Sequence, residues 1–493
     1  MRKHITLLAL LLALLTALPS CGSADTGETD APAGETQPAA EDTTAAEDTA
    51  DTIPYPDVTG VDLGGVNFNM FYFSNELNHG WSGIPTDLNP TETTGDILND
   101  AVYQRNRAAE EMINIVITEE AAAAGYDQLG KALQTSVMAS DNLYDLAFPN
   151  IVGVIGLADG GLLRDIYTLD VDIDAPWYDQ KSVSEMTISD KLFYVESDIT
   201  YIDKLATIVT YFNKSITTDH GMDDFYQVVK EGAWTYDYML EMAEQVTEDV
   251  DGSGTMDDKD AYGIACQNDG SYYLLHAAGQ KIGDKSENGL RFAAGDERCV
   301  TALQDIFDLM ASDHYFNAHK YNYGMAQIAD MYIEDRALFL IRPLQTVFNL
   351  REMTADFGII PMPKYYEDDD SYHSPMNIYP GIIMCVPRNA ANTDYIGTVI
   401  DLLAAESNKT VMPSFYDMVL DTKLTRDEMS AAMLDIIFET RVYDLGLIWD
   451  FGGFRTAIVT PNHIEVASTV ASVTTAAETQ IAELYQTISE IEG

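Results

Sequence analysis

The chain has 493 residues, of which 80 are acidic and 27 are Lys or Arg, for a formal net charge of −53. That excess excludes a nucleic-acid binder, whose phosphate contacts need basic surface, and disfavours adhesion of the folded part to anionic lipid. With 46% hydrophobic and 10% aromatic residues the chain is globular, and the ~440 residues beyond its N-terminal region exceed what one core usually supports, so two lobes are expected.

Arg2 and Lys3 precede an apolar run at 5–18, ITLLALLLALLTAL, which as a helix rises only ~21 Å, too short to span a bilayer. Residues 1–21 therefore read as a signal peptide. The run stops at Leu18-Pro19-Ser20-Cys21, which resembles a bacterial lipobox, so Cys21 is expected to carry lipid and become the new N-terminus. Pro19 departs from the small or β-branched residue usual there, and the other reading is a secreted protein with an incidental Cys. Residues 22–52 hold nine acids, no Lys or Arg, and nothing that could build a core. They are expected to form a solvated tether with a reach on the order of 30 Å.

Strand and helix patterns then alternate. Residues 67–73 (NFNMFYF) follow the turn-forming Gly64-Gly65 and read as a strand. Residues 97–112 read as a helix with Ile97, Ala101, Ala108 and Met112 inward and Arg105 and Arg107 outward. Residues 113–118 and 144–148 are further strands, with a helix at 126–139 between them, so a largely parallel sheet covered by helices is expected. Later strands fall at 192–196, 207–213, 337–341, 357–360 and 381–386. A helix at 233–247 places Trp234 at core spacing, and 465–491 is a long C-terminal helix. Trp177, in APWYDQ, is read as packing. Cys266, Cys299 and Cys385 are an odd set without CxxC spacing, which leaves at least one thiol free.

One segment carries sharp chemistry. Residues 249–260 (DVDGSGTMDDKD) fit the twelve-residue EF-hand loop, with oxygens from Asp249, Asp251, Ser253, Asp257 and Asp260 and the backbone carbonyl of Thr255. Gly254 stands where the loop needs a positive φ. Asp260 replaces the usual Glu, and Ala261-Tyr262-Gly263 leads into a strand, so a structural Ca²⁺ site on a helix-to-strand connection is expected. The alternative is an acidic, solvated turn. The chain contains no GxSxG, HExxH, P-loop or GxGxxG motif, and His314 and His319 read as surface residues.

From the tether onward the landmarks resemble an ABC-transporter extracellular solute-binding protein of family 1, the group that includes maltodextrin-binding proteins. The resemblance rests on LFYVESDITYIDKLATIVTYFNKSI (192–216), on GAWTYDYMLEMAEQVTEDVDGSGTMDDKDAYGIA (232–265), on EDRALFLIRP (334–343), where Asp335 replaces a typical Gly, on FGIIPMPK (357–364), and on the region around 404–446. It implies a type II periplasmic-binding-protein fold, two α/β lobes joined by hinge strands near 203–210, 361–364 and 408–413. Lobe 1 would take 53–206 and 362–410, and lobe 2 would take 207–361 and 411–493. It also implies a monomer on the extracellular face of the membrane, held by its lipid alone, that captures a polar solute such as an oligosaccharide for an ABC permease.

Sugars present flat C–H faces and many hydroxyls, so aromatic platforms and planar polar groups are the ligand-binding candidates. Trp81 lies in a Gly-bounded polar loop, as a cleft platform or as local packing. Arg342 ends a buried strand, as a hydroxyl or carboxylate binder or as half of a surface ion pair. Trp449 and Phe451 precede Gly452-Gly453, lining the cleft or the core, and Tyr272-Tyr273 and Tyr379 complete the set. Two other classes compete with a binding protein: a secreted calcium-dependent glycan hydrolase, which needs two facing carboxyl groups, and a dockerin-like adhesion module, which would repeat the calcium loop.

Overall fold

The β-branched and aromatic runs form strands that sort into two sheets. The computed structural model describes residues 55–80, 88–286, 289–351, 353–391, 393–420 and 428–491; Cys21, the tether and Trp81 lie outside the described residues. In the first sheet β1 (Val66–Tyr72), β2 (Ile115–Ala121) and β3 (Leu146–Phe148) run parallel in the order β2-β1-β3. Parallel neighbours need long crossovers, and helices Ile97–Ile113 and Gln128–Ala139 supply them. Residues 381–386 do not form the expected full strand. They add to β3 through single antiparallel bridges, Cys385 to Ala147 and Ile382 to Asn150, while Met384 bridges to Val195.

The second sheet takes β4 (Ile208–Asn213) and β5 (Tyr262–Cys266); a separate hairpin follows, β6 (Gly283–Ser286) and β7 (Gly289–Phe292). Then come β8 (Tyr315–Asn317), β9 (Ala337–Pro343) and β10 (Phe357–Ile360), which rejoin the sheet in the order β10-β4-β9-β5-β8. Only β9, β5 and β8 are parallel; β4 runs antiparallel to both β9 and β10. The second sheet is therefore mixed rather than largely parallel, because the strand entering from the first lobe runs against its neighbours. Asp335, where the family resemblance calls for Gly, adopts a φ of 58° just before β9, and its carboxylate accepts from Asn213 Nδ2 at 2.6 Å. The turn needs a left-handed residue, and Asp tolerates one.

Two α/β lobes joined by hinge segments make up this type II periplasmic-binding-protein architecture, and both are filled by apolar side chains. Trp234 is fully buried, its indole donating to the Pro361 carbonyl at 2.9 Å, and Trp177 is also in the core. Cys266, Cys299 and Cys385 are buried free thiols. Helix Ile97–Ile113 shows a different face from the expected one. Ile97 and Met112 are exposed, while Leu98, Ala101, Val102, Arg105, Asn106 and Ala109 are buried. Arg105 turns inward because carbonyls meet it there: its guanidinium donates to Ile199 O at 2.6 Å and to Leu88 O at 2.8 Å, as well as to Ser407 Oγ at 3.1 Å.

The crossings between lobes also differ from the expected ones. Residues 361–364 remain with the second lobe, Lys364 pairing beside Thr235. The return comes later, where Met376 bridges Thr207 and Ser374 bridges Arg441. Helix Met412–Leu420, expected in lobe 2, packs on helix Ile97–Ile113 in the first lobe, and helix Glu428–Glu439 packs on β10 in the second.

Around these crossings lies a buried ion network. The Arg441 guanidinium reaches Asp203 at 2.5 Å and Glu196 at 3.0 Å, and also pairs with Asp179. Lys204 pairs with Asp198 at 3.0 Å and Asp203 at 3.5 Å, and Tyr443 donates to Glu196 at 2.6 Å. Burial alone would raise the Asp203 carboxyl, but Lys204 and Arg441 hold it below its usual range. Burial prevails at Glu196 and pushes it well above. Removing one partner of a buried ionic cluster strands the others, so Arg441→Met is expected to cost ~3–5 kcal/mol in urea unfolding of the full chain.

Candidate functional site

In open α/β sheets ligands sit at the carboxyl ends of parallel strands, here those of β1 and β3 in the first sheet and of β5 and β9 in the second. On the first lobe β1 runs into Phe73, and Ser74 caps a short helix, Asn75–His79, by accepting from Leu77 N. Asn75 Nδ2 donates to Pro380 O at 2.9 Å, tying this turn to Tyr379. Phe73, His79 and Tyr379 gather around Tyr126, with ring centroids 5.9, 5.7 and 5.5 Å from it. The result is an aromatic wall.

The facing side is polar. β5 ends at Cys266, and Asp269 directly precedes helix Gly270–Ala277. Gly270 is required here, since a Cβ would stand 2.1 Å from the Tyr315 hydroxyl. Asp269 is buried, and its Oδ1 has no hydrogen-bond partner. Burial raises its carboxyl above the usual range against the opposing charges of His319 and Arg342. Tyr272 and Tyr273 lie together, ring centroids 4.6 Å apart, and neither hydroxyl reaches a partner beyond its neighbour's. Arg342, at the end of β9, donates through Nη1 to Gln267 Oε1 and leaves Nε buried and unpaired. Asp269 lies near enough to the rings that, after burial, its charge raises the hydroxyl pKa values of Tyr126 and Tyr379. Helix Leu445–Trp449 also touches the turn Ile151–Val154 after β3.

Of the residues singled out in the sequence, the structure brings Arg342, Tyr272, Tyr379 and Trp449 to this region. Trp449 is half-buried, edge-on to Tyr194 at 6.3 Å, with its indole N–H unpaired. Phe451 is a correction. It is 2% exposed and lies in the core, where Phe451–Gly453 packs on the C-terminal helix Val466–Glu490. Its neighbours Gly452 and Gly453 take positive φ and turn the chain there. Trp81 lies outside the described residues. Tyr273, paired with Tyr272 in the sequence, also lies here, and Asp269 and Tyr126 join the site without standing out in the sequence. A strand ending in Cys-Gln-Asn-Asp-Gly and running into a helix was the available signal for Asp269.

The 249–260 loop is a second place where oxygens gather. Asp249, Asp251 and Asp260 each bring one carboxylate oxygen within 4.8 Å of the others. Asp249 accepts from Gly254 N at 2.6 Å and Ser253 N at 3.0 Å, and Asp260 accepts from Val250 N and Asp257 N at 2.9 and 2.7 Å. Gly252 and Gly254 adopt φ of 68° and 84°. Ser253 and Thr255 are engaged with each other, Ser253 Oγ donating to Thr255 O, and Asp257 pairs with Lys259 at 3.4 Å. The clustered carboxylates fit a hard divalent cation, which takes oxygen ligands.

Together these features define a two-lobed receptor with an aromatic wall opposite a polar one. The model of the family described as bacterial extracellular solute-binding protein matches residues 90–409, and the chain belongs to that family. Similar solved structures include the cyclic α-maltosyl-1,6-maltose binding protein from Arthrobacter globiformis, at 16% identity over 86% of this chain and 100% of that one, TM-score 0.57. UspC from M. tuberculosis matches at 14% identity over 84% and 99%, TM-score 0.56. The ABC substrate-binding protein Lmo0181 from Listeria monocytogenes, in complex with cycloalternan, matches at 11% over 86% and 98%, TM-score 0.53. At such identities the likeness is one of fold. No curated protein sequence matches the chain. Among the described residues, no helix is long and apolar enough to cross a membrane.

Because the Tyr272 and Tyr273 hydroxyls have no further partner among the described residues, replacing both with Phe is expected to leave unfolding stability within about 1 kcal/mol of the parent. Urea denaturation checks this; a larger loss would mean that the hydroxyls serve the fold instead.

Proposed function

We propose that this protein is a lipid-anchored extracellular receptor that takes a hydroxyl-rich small solute, an oligosaccharide, into the cleft and passes it unchanged to an ABC importer. The observation that carries the reading is the set of buried, unpaired polar atoms on Asp269, Tyr272, Tyr273, Arg342 and Trp449 opposite the rings of Tyr126 and Tyr379. Buried polar atoms without partners are rare in native proteins, and their clustering at strand ends asks for a ligand that supplies donors and acceptors together. Aromatic faces suit the C–H faces of a sugar ring. The Listeria protein's complex with cycloalternan, and a cyclo/maltodextrin-binding protein's complex with maltotetraose, support that class. Lipid on Cys21 would hold the receptor at the membrane and the acidic tether would give it reach; Cys21→Ser is expected to release it from the membrane fraction.

Calorimetric titration of the full chain with maltotetraose and cyclic glucans tests the reading. Saturable heat without product is expected. Silence towards every glycan rejects the carbohydrate class, and hydrolysis products would favour the glycan hydrolase. Asp269→Asn is expected to weaken affinity by about tenfold, roughly one charged hydrogen bond. The pH sign follows from the buried carboxyl. A ligand hydroxyl donating to Asp269 favours its ionised form, so affinity is level above the group's raised titration range and falls as pH drops through it. Asp269→Asn should flatten that dependence.

We also propose that the 249–260 loop holds a structural Ca²⁺ through Asp249, Asp251 and Asp260, with Ser253, Thr255 and Asp257 completing the shell on rearrangement. Calcium at 100 times its dissociation constant is expected to add about 2.7 kcal/mol of stability. Differential scanning with and without chelator reads the effect, and Asp249→Asn should abolish it.

A further inference from the structure

The chain has 80 acids to 27 Lys and Arg, and several of its arginines pair with a carboxylate. Arg107, Arg291, Arg298, Arg336, Arg441 and Arg455 all lie beside one. Arg164 and Arg388 do not. Among the described residues neither forms an ion pair; they sit together in a surface groove of about 670 Å³ lined by no Asp or Glu. Their contacts there are long ones to carbonyls, Arg164 Nη2 to Ala390 O at 3.4 Å and Arg388 Nη1 to Gly161 O at 3.3 Å. Arg164 Nε is buried with no partner among the described residues. Burial, and then the charge of Arg388, holds the Arg164 guanidinium below its ordinary pKa, a sign that the two cations repel one another unrelieved. Ser140 and Asn142 stand on the same rim with φ of 53° and 55° and offer further polar groups.

Two like charges held together without a counter-charge, in a chain with acid to spare, form a half-site. Planar guanidinium forks match the paired oxygens of phosphate, sulfate or carboxylate, and charge-assisted bonds of this kind are the strong ones. We propose that this groove, built from 160–164 and 388–391 and separate from the strand-end cleft, is an oxyanion-binding site gripped by Arg164 and Arg388.

Thermal unfolding of the full chain tests it in rising sodium phosphate, sodium sulfate or sodium acetate, at ionic strength held constant with sodium chloride. Expected is a saturable rise of a few degrees with at least one of the three. Phosphate or sulfate alone would identify an inorganic tetrahedral anion, and acetate would identify a carboxylate; either supports the site. Arg388 is exposed, so Arg388→Gln should fold normally, as its urea midpoint without added oxyanion verifies. That variant should raise the apparent dissociation constant about tenfold or more. No rise beyond chloride in the parent, or an equal rise in Arg388→Gln, overturns the proposal. Arg164→Gln is the second variant, and an undiminished response there overturns it equally.

Discussion

Everything about how the two lobes meet depends on one buried cation. Arg441 sits where residues 206–208, 374–377 and 440–442 run side by side, and its guanidinium bonds carboxylates from the segment after the first sheet and from the first crossing. Asp179, Glu196, Asp198 and Asp203 line a small buried volume with two cations, Arg441 and Lys204, so acids outnumber cations there. Such a cluster has few acceptable geometries, because any displacement leaves a desolvated charge unpaired. Each crossing is thereby indexed to the others. An apolar junction of the same volume would pack as tightly but would tolerate sliding, which a clamp needs to avoid.

The cleft shows the opposite economy of polar groups. At the crossings Asp203, Glu196 and Arg441 are paired with opposite charges. Among the described residues at the strand ends, Asp269 and Arg342 have no ion pair, and Asp269, Tyr272, Tyr273 and Arg342 each leave a buried atom without a partner. One lobe supplies rings and the other supplies donors and acceptors. A solute with both a flat apolar face and a rim of hydroxyls can satisfy the two walls at once. A purely apolar ligand would leave the polar wall stranded, and an ion would find nothing to gain from the rings of Phe73 and Tyr126 except at a cation's approach.

The fold was legible in the chain because its strands are β-branched and aromatic runs cut by turns, and because long-range order of landmarks survives where individual motifs do not. Trp234 is buried as its helical spacing requires, and Trp177 packs in the core. The failures share a cause. Arg105 was read outward because charge normally faces solvent, yet three backbone and side-chain acceptors await it inside. Phe451, which its aromatic loop leaves open between cleft and core, is folded under the C-terminal helix by the glycines that follow it. Helix Met412–Leu420 belongs with the first lobe through contacts that lie some three hundred residues away in sequence. In each case a partner remote in the chain decides the outcome, and one-dimensional pattern cannot see it. Asp269 is the same problem at the site: the strand-to-helix turn that carries it is a weak local signal, and burial is what makes its carboxyl unusual.

That burial has a mechanical consequence on the proposed reading. Bringing the lobes together removes water from Asp269, Arg342 and two tyrosine hydroxyls, a cost of several kcal/mol if nothing replaces the lost hydrogen bonds. The empty receptor is thus biased towards separation of the walls, and a solute closes it to the extent that it binds the closed arrangement better than the open one. Because the Arg441 cluster resists sliding, the motion available is rotation about the crossings, with each lobe's sheet intact. Recognition and closure then draw on the same few atoms. Selectivity for the solute is set by how completely it pairs the groups that closing would otherwise strand.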